Sequence, residues 1–150
     1  MQLSTKSRYG LRAMVFIAGD TDKPIRGERI AENEGLSRKY LDAILRRLRK
    51  AGLLKGVRGP GGGYVLGRSS EKISIGEIFQ ALEDGFAIVP CQRNPALCSK
   101  TAHCPTRKVW CAVSIILERA LKGVTLADLV ESEPEEVLSI VMDRFKPDAI

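Results

Sequence analysis

The sequence is short of aromatic residues and of long apolar runs, and both shortages constrain the fold. Aromatic residues make up 5% of the 150 residues, so we expect a core of leucine, isoleucine, valine and alanine side chains. A transmembrane helix needs about 20 consecutive apolar residues, and runs such as residues 13–18 are far shorter. The opening MQLSTKSRYG also lacks the apolar segment and cleavage site of a signal peptide. We therefore expect a cytoplasmic protein without membrane contact, in which cysteines stay reduced.

Motifs for catalysis are missing as well. The single histidine, His103, has no evident catalytic partner, and the sequence shows neither paired carboxylates nor a nucleophile motif. The glycines at 59–63 are not followed by the Lys-Ser/Thr pair and helix of a phosphate-binding loop. These absences argue against an enzyme.

Charge is plentiful but unevenly distributed. Residues 1–72 contain 16 Lys and Arg against 7 Asp and Glu, whereas residues 73–150 contain 8 against 11. A cationic first half predicts a module that binds a polyanion, and nucleic acid is the leading candidate. Charge alone leaves open a lysine-rich surface that only faces solvent.

Apolar spacing in the first half predicts a helix-turn-helix. One helix is expected over residues 4–18, a short one from Pro24 to about residue 34, and a third after Ser37, a natural N-cap. Gly35 lies in the turn between the second and third helices, as this motif requires. The third helix has a leucine-rich stripe and a basic solvent side, and its N-terminal residues are expected to reach base edges, with Asp42 accepting from a cytosine amino group. The candidate DNA-contacting residues on it are Arg38, Lys39, Tyr40, Asp42, Arg46 and Arg49. The alternative is an ordinary amphipathic helix with a basic face.

The segment after this helix predicts a β-hairpin. Residues 53–58 and 64–66 have strand character, and Gly and Pro occupy the tip between them. A hairpin directly after a recognition helix is a wing, whose backbone N–H groups can approach phosphates while Arg58 enters a minor groove. The candidate contacts are Arg58, Gly59, Gly61, Gly62 and Gly63.

Three cysteines in a loop that contains several prolines predict a metal centre. Cys91, Cys98 and Cys104 follow a C-x6-C-x5-C pattern, and thiolates favour zinc or an iron–sulfur cluster. The short knuckle of most zinc sites is absent. Candidate fourth ligands are His103 and Cys111, with a second subunit or solvent as alternatives. A disulfide with spare thiols is the simpler alternative, which a reducing cytosol disfavours.

Apolar residues dominate the helix predicted over residues 107–122. Its stripe is too broad for the winged domain to cover, so we expect a helix–helix dimer seam, with complete burial in the core as the alternative. Shorter helices are predicted after the capping-box residue Ser74, after Thr125 and from Pro134.

Several of these segments resemble the Rrf2 superfamily of bacterial winged-helix transcription regulators, in particular its IscR-like and NsrR-like cluster sensors. The resemblance covers about residues 1–131. It is carried by LSTKSRYGLRAM, LSRKYLDAILRRLRKAGLLKGVRGPGGGYVLGR, ISIGEIFQALE and the three-cysteine loop leading into CPTRKVW.

The resemblance implies a homodimer that binds an inverted-repeat, double-stranded operator. It also implies that Cys91, Cys98 and Cys104 hold a 2Fe-2S or 4Fe-4S cluster whose state alters DNA affinity. Three departures are clear. Relatives commonly space the first two cysteines by five residues, and here there are six. The histidine ligand of the iron–sulfur regulator falls at Arg107, and the N-terminal acidic ligand of the nitric-oxide regulator falls at Arg8.

The expected fold is therefore mainly α with a small β-hairpin wing, a winged helix-turn-helix joined to a long dimerisation helix. We expect a DNA-binding domain over residues 1–84, a cluster-binding loop over 85–107, and dimerisation and C-terminal helices over 108–150. The alternatives are a structural-zinc or cluster-free thiol-based regulator and an iron–sulfur electron-transfer protein.

Overall fold

The computed structural model describes residues 4–20, 23–83 and 85–145. The expected boundary at residue 84 and the end of the tail lie outside these ranges. Within them the protein is mostly helical, with one two-stranded antiparallel sheet. In chain order the elements are α1 (Thr5–Ala18), α2 (Gly27–Glu34), α3 (Arg38–Lys50), β1 (Leu54–Val57), β2 (Gly63–Leu66), α4 (Ile75–Leu82), α5 (Pro90–Arg93), α6 (Pro105–Lys122), α7 (Leu126–Glu131) and α8 (Pro134–Arg144).

The three helices predicted in the first half are present, and their caps explain where they begin and end. The Ser4 hydroxyl accepts from the N–H of Ser7 at the start of α1, and the Ser37 hydroxyl accepts from the N–H of Tyr40 at the start of α3. Gly35 ends α2 with a φ of 64°, a left-handed conformation that favours glycine. The apolar stripe of α3 is almost fully buried, as the spacing predicts.

The prediction that α2 begins at Pro24 is wrong by three residues. The N–H of Ile25 donates to the carbonyl of Tyr64 over 3.0 Å, and the N–H of Tyr64 donates back over 2.8 Å. Ile25 therefore forms an isolated antiparallel bridge with Tyr64 at the edge of the hairpin and is 2% exposed. These two backbone hydrogen bonds hold Ile25 outside the helix, although proline favours the first turn of a helix.

The hairpin has the register Leu54–Leu66 through Val57–Gly63. Its base is fixed because Leu53 and Leu54 are each 1% exposed in the core. Its tip extends away from the core, and residues 58–61 are exposed. The sheet therefore presents a short ribbon beside α3, as a wing requires.

Helix α4 packs back onto the winged domain, contacting α1 and α3. Ser74 and Glu77 form the predicted capping box. The N–H of Ile75 donates to the carbonyl of Val124 over 2.8 Å, and the N–H of Leu126 donates to the carbonyl of Ile73 over 2.7 Å. These bonds join the start of α4 to the start of α7 across a buried seam.

The C-terminal helices are tied together by Asp128 of α7 and Arg144 of α8, whose carboxylate and guanidinium lie 2.5 Å apart. Partial burial acts to raise the pKa of Asp128, but hydrogen bonds from Thr125 and the ion pair with Arg144 outweigh it and lower the pKa. In the described part of the chain, no helix is both long and apolar enough to cross a bilayer.

Candidate nucleic-acid interface and cysteine loop

Helix α3 is held by its apolar face, which leaves its basic face outside. Leu41, Leu45 and Leu48 are fully buried. On the other side Lys39, Arg46 and Arg49 are exposed. A rigid helix with exposed cations is the element that most helix-turn-helix proteins place in a major groove.

A cleft of about 500 Å³ separates α3 from the wing and from the start of α2. Cations from three different segments converge on it, and among the described residues Glu28 is the one acidic side chain that lines it. The arginines that line it are Arg26, Arg38, Arg49 and Arg58. Convergent guanidinium groups around a groove suit phosphate oxygens and guanine edges.

Arg38 lies in this cleft and makes two ion pairs. Its Nε donates to Asp42 Oδ1 over 2.8 Å, and its Nη1 pairs with Glu28 Oε1. The hydrogen bond with Asp42 and the nearby carboxylates raise the pKa of Arg38, against the effect of partial burial, so the group is always charged. Arg38 and Asp42, both predicted to contact bases, are thus paired with each other in this structure.

The other predicted DNA-contacting residues occupy different settings. Tyr40 packs edge-on against Tyr9 at 6.4 Å between ring centroids, and its hydroxyl hydrogen-bonds with Thr5 over 2.8 Å. Gly63 packs against the backbone of Ile25, at the base of the wing. Base or phosphate contacts by these two residues stay predictions, and the structure gives each a packing role.

The wing tip has the thin shape that the glycines predict. Gly59 and Gly61 have φ angles of 96° and 79°, which side-chain-bearing residues rarely adopt. The N–H of Gly62 donates to the carbonyl of Gly59 over 2.9 Å and closes the turn. Arg58 is exposed beside this tip, where it can reach a groove or a phosphate.

The three loop cysteines lie on a segment of short turns between α4 and α6. Cys91 is half-buried in α5, Cys98 is exposed, and Cys104 is half-buried immediately before α6. All of them are free thiols. Of the described residues, which include every cysteine and His103, no three His, Cys, Asp or Glu side chains are close enough to hold a metal ion. The three predicted ligands therefore lie in one loop, but their side chains do not converge on a common metal position.

The donor chemistry nevertheless fits an anionic thiolate-bound group. A hydrogen bond with Thr106, the backbone N–H of Arg107 and the Arg107 charge lower the pKa of the Cys104 thiol. Arg107 Nε is buried and has no hydrogen-bond partner in the ranges described, which leaves it free to donate to an anion at this end of the loop. His103 is exposed and Cys111 is half-buried in the second turn of α6.

The sequence did not predict that Gln92 holds the first part of the loop in place. The Gln92 amide oxygen accepts from the backbone N–H groups of Ile88 and Val89 over 2.7 and 3.0 Å, and its Nε2 donates to Ser114 Oγ over 2.9 Å. The residue next to Cys91 is thus fastened to α6. A lone glutamine carries no sequence signal for such a role.

The apolar stripe of α6 is not covered by its own chain. Val109, Trp110, Val113 and Ile116 are between 39% and 57% exposed. Ser114 is the sole α6 residue that is buried among those described. The alternative that this helix is wholly core is therefore wrong, and an exposed patch of this kind is typical of an interaction surface.

Comparison with known proteins gives consistent matches. The profile of the Rrf2 family, described as an iron-dependent transcriptional regulator, matches residues 3–132. The HTH-type transcriptional regulator IscR of Sodalis glossinidius is 37% identical over 94% of this chain and 84% of that protein. Protein rrf2 of Nitratidesulfovibrio vulgaris is 39% identical over 87% of each.

Two solved structures agree with these matches. The structure of T. potens IscR superposes with a TM-score of 0.71, at 36% identity over 87% of both chains. CymR, titled the global cysteine regulator of B. subtilis, superposes with a TM-score of 0.70, at 34% identity over 87% of this chain and 96% of that one. The winged-helix fold expected from the sequence is thereby confirmed.

Proposed function

The chain belongs to the Rrf2 family of transcriptional regulators, and from that premise we propose a specific mode of action. The protein is a homodimer that binds an inverted-repeat DNA operator through α3 and the wing. Its operator affinity responds to an iron–sulfur cluster held by Cys91, Cys98 and Cys104.

The observation that carries the DNA-binding part is the arginine-lined cleft between α3 and the wing. Exposed Lys39 at the start of α3 faces base edges, while Arg46 and Arg49 further along meet phosphates. Arg58 and the glycine tip contact the backbone or minor groove next to the site. This division of contacts explains why the basic residues lie in the first half of the chain.

Dimerisation is supported by the exposed apolar face of α6. A second copy of α6 is the simplest cover for Val109, Val113 and Ile116, since a two-fold axis brings identical faces together. Two copies of α3 would then contact successive half-sites about 34 Å apart on one face of the duplex.

Sensing is supported by the position of the cysteine loop. The loop leads directly into α6 through Cys104, and Gln92 fastens its first part to Ser114 of the same helix. When bound, a cluster would supply a redox state that changes as electrons are gained or lost. Its stability would also change on exposure to oxidants or nitric oxide. The loop and the Gln92 contact offer a route by which ordering of the cysteines changes the placement of α6, and hence the spacing of the two α3 helices.

Anaerobic purification tests the cluster directly. We expect iron and sulfide in the protein, a visible absorption spectrum, and loss of both in Cys98→Ser. Ser99→Ala is the matched comparison, because Ser99 is exposed next to Cys98 and its replacement removes no candidate ligand. Equal operator affinity of cluster-loaded and cluster-free protein would contradict the sensing mechanism even if the cluster is present.

A cluster-free or structural-zinc regulator is the second candidate, since the cysteines are free thiols and no group of three metal-ligating side chains converges in the described residues. In that case the purified protein is colourless, and metal analysis finds zinc or no metal. An electron-transfer protein is disfavoured because the relatives are named as transcriptional regulators.

A further inference from the structure

Glu28 is an acidic side chain in a cleft whose other charged lining residues are all arginines. It lies in the first turn of α2 and pairs with Arg38 Nη1, which belongs to α3. Its side chain is 67% exposed, and that of Arg38 is 39% exposed. The pair is therefore a contact between two helices at the rim of the cleft and not part of the core.

The backbone of α2 makes room for this contact. A Cβ atom on Gly27 would lie 2.6 Å from both Cζ and Nη2 of Arg38, so a side chain there would displace the guanidinium. The Arg38 guanidinium therefore packs against the first turn of α2. Its other partner, Asp42, lies one turn along α3 at 2.8 Å from Nε. Asp42 orients Arg38 along its own helix, whereas Glu28 holds it toward a neighbouring helix.

An exposed pair of this kind can be exchanged for another anion. Exposed ion pairs contribute little to stability, and a phosphate or a guanine edge offers a guanidinium a comparable or better partner. Glu28 is itself a carboxylate that repels an approaching phosphate. DNA entering the cleft therefore competes with Glu28 for the Arg38 guanidinium.

We propose that Glu28 is an internal competitor for Arg38 that lowers the affinity of the protein for DNA. This inference rests on the proposed function, because it requires the cleft to bind DNA. Glu28 acts through Arg38, so its effect disappears when Arg38 is absent. The effect is also sensitive to salt, since a carboxylate displaced from Arg38 takes up a cation and so lowers the net cation release on binding.

A double-mutant cycle tests the proposal. The variants are Glu28→Gln, Arg38→Gln and their combination, with Glu32→Gln as the matched control. Glu32 is exposed on the same helix, and Glu32→Gln removes the same charge as Glu28→Gln. In the part of the chain described, Glu32 makes no ion pair with Arg38. The probe is a 30-bp duplex selected in vitro from a random pool by the wild-type protein purified anaerobically. Affinity is measured by fluorescence anisotropy over a range of KCl concentrations.

We expect Glu28→Gln to bind the duplex about two- to five-fold more tightly than wild type, the range that one exposed ion pair supports. Its salt dependence should be steeper, whereas Glu32→Gln should change affinity by less than about 1.5-fold. In the Arg38→Gln background, Glu28→Gln should give no further gain.

Three results would overturn the inference. The first is an equal gain from Glu28→Gln and Glu32→Gln, and the second is a gain that persists without Arg38, because both indicate general charge effects. The third is unchanged or weaker binding by Glu28→Gln in a protein with wild-type thermal unfolding. If the wild-type protein selects no duplex, the proposed function fails as well; if it selects one and Arg38→Gln binds it normally, only this inference fails.

Discussion

Replacing Gly63 with alanine should detach the base of the wing from the rest of the winged domain. A Cβ atom at this position would overlap the carbonyl oxygen of Ile25 and lie 2.5 Å from its carbonyl carbon and 2.9 Å from the N of Arg26. These are backbone atoms, so no side-chain rotation relieves the clash. The strand must move away from Ile25.

The cost follows from what that movement breaks. Ile25 and Tyr64 exchange two backbone hydrogen bonds of 3.0 and 2.8 Å. At about 0.5–1.5 kcal/mol each, their loss predicts a destabilisation of about 1–3 kcal/mol. For a chain of this size the melting temperature should fall by about 2–4 °C per kcal/mol.

Urea unfolding followed by far-UV circular dichroism measures this change at one fixed protein concentration, because a dimer's apparent stability depends on concentration. Gly56→Ala is the matched control in the same hairpin. Its added Cβ would come no closer than 3.5 Å to Arg49 Nη1, an ordinary contact. If Gly63→Ala is as stable as Gly56→Ala, the close packing of the wing on Ile25 is not what fixes the hairpin.

Three further predictions concern the dimer, a helix cap and acid sensitivity. Val113→Glu places a charge in the exposed apolar face of α6 and should give a monomer in size-exclusion chromatography with light scattering; a dimer of unchanged strength would contradict the proposed seam. Ser74→Ala removes the capping box of α4 and should lower the free energy of unfolding by about 1 kcal/mol in a urea titration. Because the pKa of Asp128 is lower in the folded than in the unfolded state, its contribution to stability is present above about pH 4 and is lost as the pH falls through the folded pKa. Asp128→Asn should therefore be less stable at pH 7 and lose less stability than wild type between pH 5 and pH 3, and parallel pH profiles would refute this assignment.

Much of the DNA-binding half was predictable because local rules decide its elements. Ser37 as an N-cap, Gly35 in the turn between α2 and α3 and the capping box at Ser74 are all short-range features, and each is where the sequence predicts it. The apolar stripe of α3 fixes which side of that helix is free. The basic face then follows without further information.

Contacts between distant segments were not predictable in the same way. Ile25 joins the hairpin through Tyr64, and this pairing moved the start of α2. Glu28 meets Arg38 because two helices cross at a particular angle, which no residue spacing encodes. These contacts depend on tertiary geometry, and they include the acidic residue that most alters the electrostatics of the cleft.

The cysteine loop shows a second reason why the sequence alone does not predict a site. Its composition indicates which side chains bind a soft metal, but their convergence depends on the bound group and on a fourth ligand. Arg107 and Arg8 stand where relatives supply that ligand according to the resemblance, so the resemblance assigns no fourth ligand in this chain, and His103 and Cys111 stay candidates. The residue types predict the kind of site, and metal binding by these cysteines stays a prediction.

The most direct test of the central claim is the salt dependence of operator binding by wild type and Arg58→Gln. Arg58 is exposed beside the wing tip and lines the cleft. We predict that Arg58→Gln weakens binding by about tenfold and reduces the slope of log affinity against log salt by up to about one, whereas Lys72→Gln, outside the cleft, leaves both nearly unchanged. Equal affinities and equal slopes for a correctly folded Arg58→Gln dimer would contradict the claim that α3 and the wing form the DNA-binding surface.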